Sequence, residues 1–190
     1  MTKAMRILGV PFLAMKVLNS LLVVAVLLAA ALVVGPLSLA PLSAAEPDRP
    51  NLSLTTLAGE DFDLGRQRGH VVVVHFWATW CPQCTEEMPQ LQSFFEHYRE
   101  RGVEVIAVSQ DRSRDIDEVH HMMHQMKMTY PVAMSHTASR NTFGEQVMLP
   151  VTYVIDTQGV LRAELRPKTQ PVSEAALAKI VDPLLAAPAR

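Results

Sequence analysis

Cysteine is almost absent from this chain: two residues in 190, Cys81 and Cys84. That scarcity excludes a disulfide framework, so the fold must stand on a hydrophobic core. Acidic residues are missing from the first 45 positions, and charge of either sign is missing from Val17 to Ala45. The N-terminal basic residues Lys3, Arg6 and Lys16 all precede that run. The remaining 145 residues therefore carry 14 basic against 19 acidic residues, a formal charge of −5. No basic run is present that would follow a phosphate backbone, which argues against nucleic acid as a partner. Repeats and low-complexity tracts are absent too, and the length leaves room for one ordinary domain.

What fills the uncharged stretch is apolar. Leu21 to Val34 is its densest part, and Gly35-Pro36 follows at once. Positive charge only on the N-terminal side puts the N-terminus in the cytoplasm and the rest outside. Residues 17–34 are just long enough to anchor the chain in a bilayer. They fit a cleaved signal peptide equally well, with a core of about 14 apolar residues, a helix-breaking proline and Ser43-Ala44-Ala45 before a cut. A buried core helix of a soluble protein would show a polar face, and this run has none. The sequence thus predicts residues 1–45 as signal peptide or membrane anchor with linker, and residues 46–190 as the exported domain.

Within that domain, residues 51–69 are short extended pieces broken by Gly59, Gly65 and Gly69, predicting an N-terminal hairpin. Val71 to Trp77 is apolar and β-branched apart from His75, the pattern of a buried central strand. A helix is expected from Pro82 to Arg101, kinked at Pro89, followed by a strand at Val103–Val108. Ser113 is placed to cap a helix running to about Met128, with Asp115 and Asp117 in its first turn. A short segment at Tyr130–Met134 and a brief helix near Ser139–Phe143 come next. Val151–Ile155, a turn at Asp156–Gly159 and Val160–Leu165 predict a β-hairpin, and Ser173 caps a last helix to about Leu185. This order predicts an α/β fold, a mixed central sheet with helices on both faces.

Trp80-Cys81-Pro82-Gln83-Cys84 lies between the predicted central strand and the first helix. A disulfide closing so short a loop adds little stability. Reactivity explains the pair better: a cysteine at a helix N-terminus is stabilised as thiolate by free backbone N–H groups and the dipole. Pro82 suits the first helical turn, where its missing N–H has no partner to lose. Cys81 would attack a disulfide, and Cys84, one turn inside, would resolve the mixed disulfide. Half a zinc site is the competing reading of C-x-x-C, but a tetrahedral site needs two more ligands and no other cysteine exists.

The segment from His75 to Cys84, followed by Glu86-Glu87-Met88-Pro89, resembles the exported thioredoxin-like proteins of the TlpA and ResA type. Leu149-Pro150-Val151-Thr152-Tyr153-Val154-Ile155-Asp156 resembles the same family's cis-proline segment, and Val105–Asp111 is similar too. The resemblance implies a thioredoxin-like fold and a thiol–disulfide oxidoreductase of exported proteins, of the cytochrome c maturation or copper-site assembly type, fed by a membrane electron donor and needing no bound cofactor. It implies a cis Pro150 facing the cysteines, substrate contact at Trp80, Pro82, Leu149 and Pro150, and a proton-transfer role for Glu87. His75 departs from the family's usual Asn, and a hydrogen-bonded core histidine is favoured there over a proton relay.

Three further features carry competing chemistry. His120, His121 and His124 lie among Met122, Met123, Met126 and Met128 and suggest copper, but helical spacing turns the methionines inward, and His120 and His124 alone make a poor site. A copper-handling protein using Cys81, Cys84 and a histidine such as His136 is the alternative function. Peroxide reduction by a protein of this kind calls for Pro and Thr or Ser where Val74 and Ala78 stand, which speaks against it.

Overall fold

The computed structural model describes residues 48–186; the hydrophobic segment 17–34 lies outside them. Among the described residues no helix is long and apolar enough to cross a membrane. β1 (Leu52–Thr55) and β2 (Asp61–Asp63) form the expected antiparallel hairpin. Then come β3 (Val71–Trp77), α1 (Pro82–Tyr98), β4 (Val103–Ser109), α2 (Ile116–Gln125), β5 (Val132–Met134), β6 (Arg140–Asn141), β7 (Val151–Ile155), β8 (Leu161–Leu165) and α3 (Glu174–Ala186).

Five strands make the main sheet in the order β5-β4-β3-β7-β8. β3, β4 and β5 run parallel; β7 is antiparallel to β3, and β8 to β7. Every residue of β3 is buried, as its β-branched run requires of a central strand. Its side chains alternate between two cores. Val71, Val73 and Trp77 join one with α1, α2 and α3, while Val72, Val74 and Phe76 join the other with Leu52, Leu54 and Leu64.

The expectation of helices on both faces is therefore corrected. All three α-helices pack on one core, and the three-stranded sheet β2-β1-β6 closes the other. Chain handedness explains this. The steps β3 to β4 and β4 to β5 move the same way across the sheet, so two right-handed crossovers place α1 and α2 on the same face.

Two local readings change as well. The second helix is shorter than expected: Ser113–Asp115 is a 3-10 turn, no side chain caps the start of α2, and the helix ends at Gln125. Met128 N–H reaches back to Met123 O at 2.9 Å while Lys127 takes a φ of 52°, closing the C-terminus through a left-handed residue. The predicted helix near Ser139–Phe143 is instead β6, paired with β1 and pinned by Asn51 N–H to Thr142 Oγ1 at 2.7 Å and Thr142 N–H to Asn51 O at 2.9 Å. The β7–β8 turn closes as expected. Asp156 accepts from the N–H groups of Gln158 and Val160 at 2.9 Å each, with Gly159 at a φ of 75°.

α1 carries the site, and its packing is dictated by Cys84, Met88, Leu91, Phe94, Phe95 and Tyr98, buried at helical spacing. Each large apolar side chain buried here contributes roughly 1.5–3 kcal/mol. Polar contacts join α1 to α3: Ser93 Oγ donates to Glu174 at 2.6 Å and Tyr98 OH to Asp182 at 3.1 Å. Ser173 Oγ accepts from Ala176 N–H at 3.2 Å, capping α3 as its sequence predicts.

Candidate active site

β3 ends at Trp77 and releases the chain into a turn, Ala78–Trp80, which delivers Cys81 to the start of α1. Cys81 is the N-cap residue and Pro82 the first helical residue, where a missing N–H costs no hydrogen bond. Cys81 and Cys84 form a disulfide, with Cα atoms 5.3 Å apart. The backbone N–H of Cys84 donates to the Cys81 sulfur at 3.1 Å. Cys81 is nearly covered and Cys84 wholly so, whereas Trp80 beside them is 66% exposed.

Asp111 fixes the turn. Its carboxylate accepts from Thr79 N–H at 2.9 Å, Thr79 Oγ1 at 2.7 Å and Ser109 Oγ at 2.7 Å. Gln110 N–H donates to Trp77 O at 2.8 Å, so the ends of β3 and β4 are held together where the turn begins. Asp111 was not singled out from the sequence. Its position just past a parallel strand, at the carboxyl edge of the sheet where functional groups gather, is the signal that would have found it.

Pro150 arrives from the other side. The Leu149–Pro150 peptide is cis, and Val151 pairs with Phe76. That register sets buried Pro150 at the sheet edge where β3 gives way to the cysteine turn. The residues before it, Val147 and Met148, are 98% and 56% exposed. Trp80, Val147 and Met148 are the exposed large apolar side chains of the described residues, and they lie in the two segments that meet at this edge. Val147 and Met148 were missed from the sequence.

Glu87, one turn beyond Cys84, is buried. Its Oε1 accepts from Val172 N–H at 3.1 Å, and its Oε2 has no protein partner. Burial, with Glu86 nearby, pushes the Glu87 carboxyl up to about 7 against the opposing pull of the Val172 N–H. A carboxyl so placed can take and return a proton near neutrality. His75 shares the parity of Val73 and Trp77 on β3, hence the α1 face of the sheet. Its Nδ1 lies 2.8 Å from Thr152 Oγ1, its Nε2 is unpartnered, and burial pushes the imidazole down to about 4.

Of the histidines considered for copper, His121 lines a groove shared with Thr79 and Trp80, and none is grouped with the cysteines as a metal site. His120, His121, His124 and His136 are exposed, and among the described residues no group of three or more His, Cys, Asp or Glu side chains is arranged to hold a metal ion.

A C-x-x-C disulfide capping the helix that leaves the central strand of a mixed sheet, opposite a cis-proline, defines a thioredoxin-like thiol–disulfide oxidoreductase. The AhpC/TSA family model matches residues 47–164. The thiol–disulfide oxidoreductase ResA of Bacillus thuringiensis subsp. konkukian is 33% identical over 120 residues, 63% of this chain and 68% of that protein. ResA of Bacillus subtilis is 30% identical over 112 residues, 59% of this chain and 62% of that protein. The crystal structure of a thioredoxin-family thiol:disulfide interchange protein from Chlorobium tepidum TLS superposes with a TM-score of 0.63 at 26% identity, covering 74% of this chain and 98% of that one. The chain belongs to the AhpC/TSA family, as a thioredoxin-like thiol–disulfide oxidoreductase of the ResA type. Within that family, Val74 and Ala78 still stand where peroxide reduction calls for Pro and Thr or Ser, and both are buried.

Proposed function

We propose that this oxidoreductase works outside the cytoplasm and reduces disulfides of exported proteins, in cytochrome c maturation or copper-site assembly. Cys81 attacks: its thiolate forms a mixed disulfide with one substrate sulfur, and the other substrate sulfur leaves as a thiol. Cys84 then gives its proton to Glu87 and attacks Cys81, which restores the Cys81–Cys84 disulfide and releases the reduced substrate. Trp80, Pro82, Leu149 and Pro150 contact the substrate segment, whose extended backbone is read largely by main-chain pairing. Electrons return through a membrane donor carrying a dithiol.

One observation carries this reading. The Cys81 sulfur receives a helix N-terminal N–H while Cys84 is wholly enclosed, so the two sulfurs are unequal in the way attack and resolution demand. Export rests on the charge asymmetry about residues 17–34. The test is the reduction potential of the Cys81–Cys84 couple, read through Trp77 and Trp80 fluorescence. A value at or below about −250 mV supports a reductant; a value near about −120 mV marks an oxidant and overturns the direction proposed.

A further inference from the structure

The turn that leads into Cys81 borders a groove of about 490 Å³ lined by Thr79, Trp80, Asp117, Glu118, His121 and Met122. One wall is the cysteine turn and the other is the first two turns of α2. Trp80 is the residue directly before Cys81, so a group packed on its ring touches the neighbour of the attacking residue.

The groove has the wrong charge for a passive surface. Asp117 and Glu118 are exposed, and neither has a salt-bridge partner among the described residues. No Lys or Arg lines the groove. Arg112 and Arg114, the cations closest in sequence, are both engaged by Asp115. Behind the lining stands a third carboxylate: buried Asp111 is bonded to Thr79, itself a wall residue, and all three of its donors are neutral groups. The acidic residues at the start of α2 also favour the helix dipole. That role needs no exposed aromatic face opposite them, and here the exposed Trp80 ring supplies one.

We propose that this groove is a specificity subsite for a basic side chain, Lys or Arg, flanking the target cysteine of the substrate protein. The alkyl stem lies along Trp80 and Met122, and the cationic head meets Asp117 and Glu118. An aromatic face and two carboxylates suit a long side chain with an apolar stem and a charged tip. The inference rests on Cys81 as the attacking sulfur and adds to it the chemistry of the neighbouring substrate residue.

The test uses the full chain in its reduced form. It is mixed with short peptides carrying one internal disulfide and differing only in the flanking residue: Lys, Glu or norleucine. Single-turnover exchange is followed by tryptophan fluorescence. The Lys peptide should react about threefold to tenfold faster than the Glu peptide at low salt, the size expected of one exposed ion pair with a cation–π contact. That ratio should shrink in high salt and fall to near one in the double variant Asp117→Asn/Glu118→Gln. Being a ratio within one protein, it is insensitive to how much of the variant folds. Equal rates for all three peptides in the unmodified chain would overturn the subsite and leave the attacking role of Cys81 standing. A preference that persists in the double variant also overturns it, since the charge would then be read elsewhere. Failure of every peptide to exchange would overturn the reading of Cys81 itself, and the subsite with it.

Discussion

Thr79 and Asp111, 32 residues apart, are joined twice: the backbone N–H and the hydroxyl of Thr79 both donate to the Asp111 carboxylate, at 2.9 and 2.7 Å. The turn that presents Cys81 is thus held by a side chain from the end of the neighbouring strand. Replacing Asp111 by Ala leaves the Thr79 N–H and the Ser109 hydroxyl without this acceptor. A buried donor so orphaned costs about 1–3 kcal/mol. Asp111→Ala should lower stability by about 2–3 kcal/mol in urea unfolding and, because the cysteine turn loosens, also shift the reduction potential. A variant with unchanged stability and potential would reduce the contact to a surface bond.

That contact also marks where the sequence ceases to be informative. β3 was legible because six apolar, mostly β-branched residues interrupted only by His75 read as a buried strand, and the cysteine pair because its members are close in the chain. The start of α1 was legible from Pro82, which suits a first helical turn. Nothing near Asp111 says which loop it will reach, since its partner is chosen by the pairing of β3 with β4. β6 was misread for a related reason. A strand of two residues has no period to read, and its conformation is imposed by Asn51 and Thr142 across the sheet. The face on which α2 packs followed from strand order, which local pattern does not contain.

The unequal burial of the two sulfurs leads to a trapping experiment. With Cys84→Ser, the mixed disulfide on Cys81 has no internal thiol to resolve it, so covalent adducts with substrate peptides should accumulate and be visible by non-reducing mass spectrometry. Cys81→Ser should give no adduct and lose exchange altogether. Normal turnover by Cys84→Ser would sink the two-cysteine mechanism.

Glu87 should set the pH at which resolution is fast. Its carboxyl, pushed up to about 7 by burial, changes protonation where the Cys84 proton must be accepted. The rate of mixed-disulfide resolution should therefore show an inflection near that pH in the unmodified protein. Glu87→Gln keeps an oxygen for the Val172 N–H but cannot titrate, so the inflection should vanish with the fold intact. An unchanged profile would return Glu87 to a structural role.

His75 and Glu87 should oppose each other in the stability of the oxidised protein. The folded-state pKa of Glu87 lies above its ordinary 4.5, so its contribution is fully present below 4.5 and lost as pH rises through about 7. The folded-state pKa of His75 lies below its ordinary 6.5, so its contribution is present above 6.5 and lost as pH falls through about 4. Each effect is on the order of 3 kcal/mol over its full window, and across the shared part of those windows the slopes have opposite sign. Asp63, Asp156 and Glu174, whose carboxyls are held below their ordinary values by hydrogen bonds, act mainly below this range. The unmodified protein should thus show nearly flat stability between pH 4.5 and 6.5. Glu87→Gln should expose the histidine, with stability falling on acidification. His75→Asn should expose the glutamate, with stability rising on acidification even if the smaller side chain lowers it throughout. The readout is the sign of the slope in urea unfolding at a series of pH values. Two variants with slopes of the same sign would show that at least one of these buried groups does not titrate as its surroundings require.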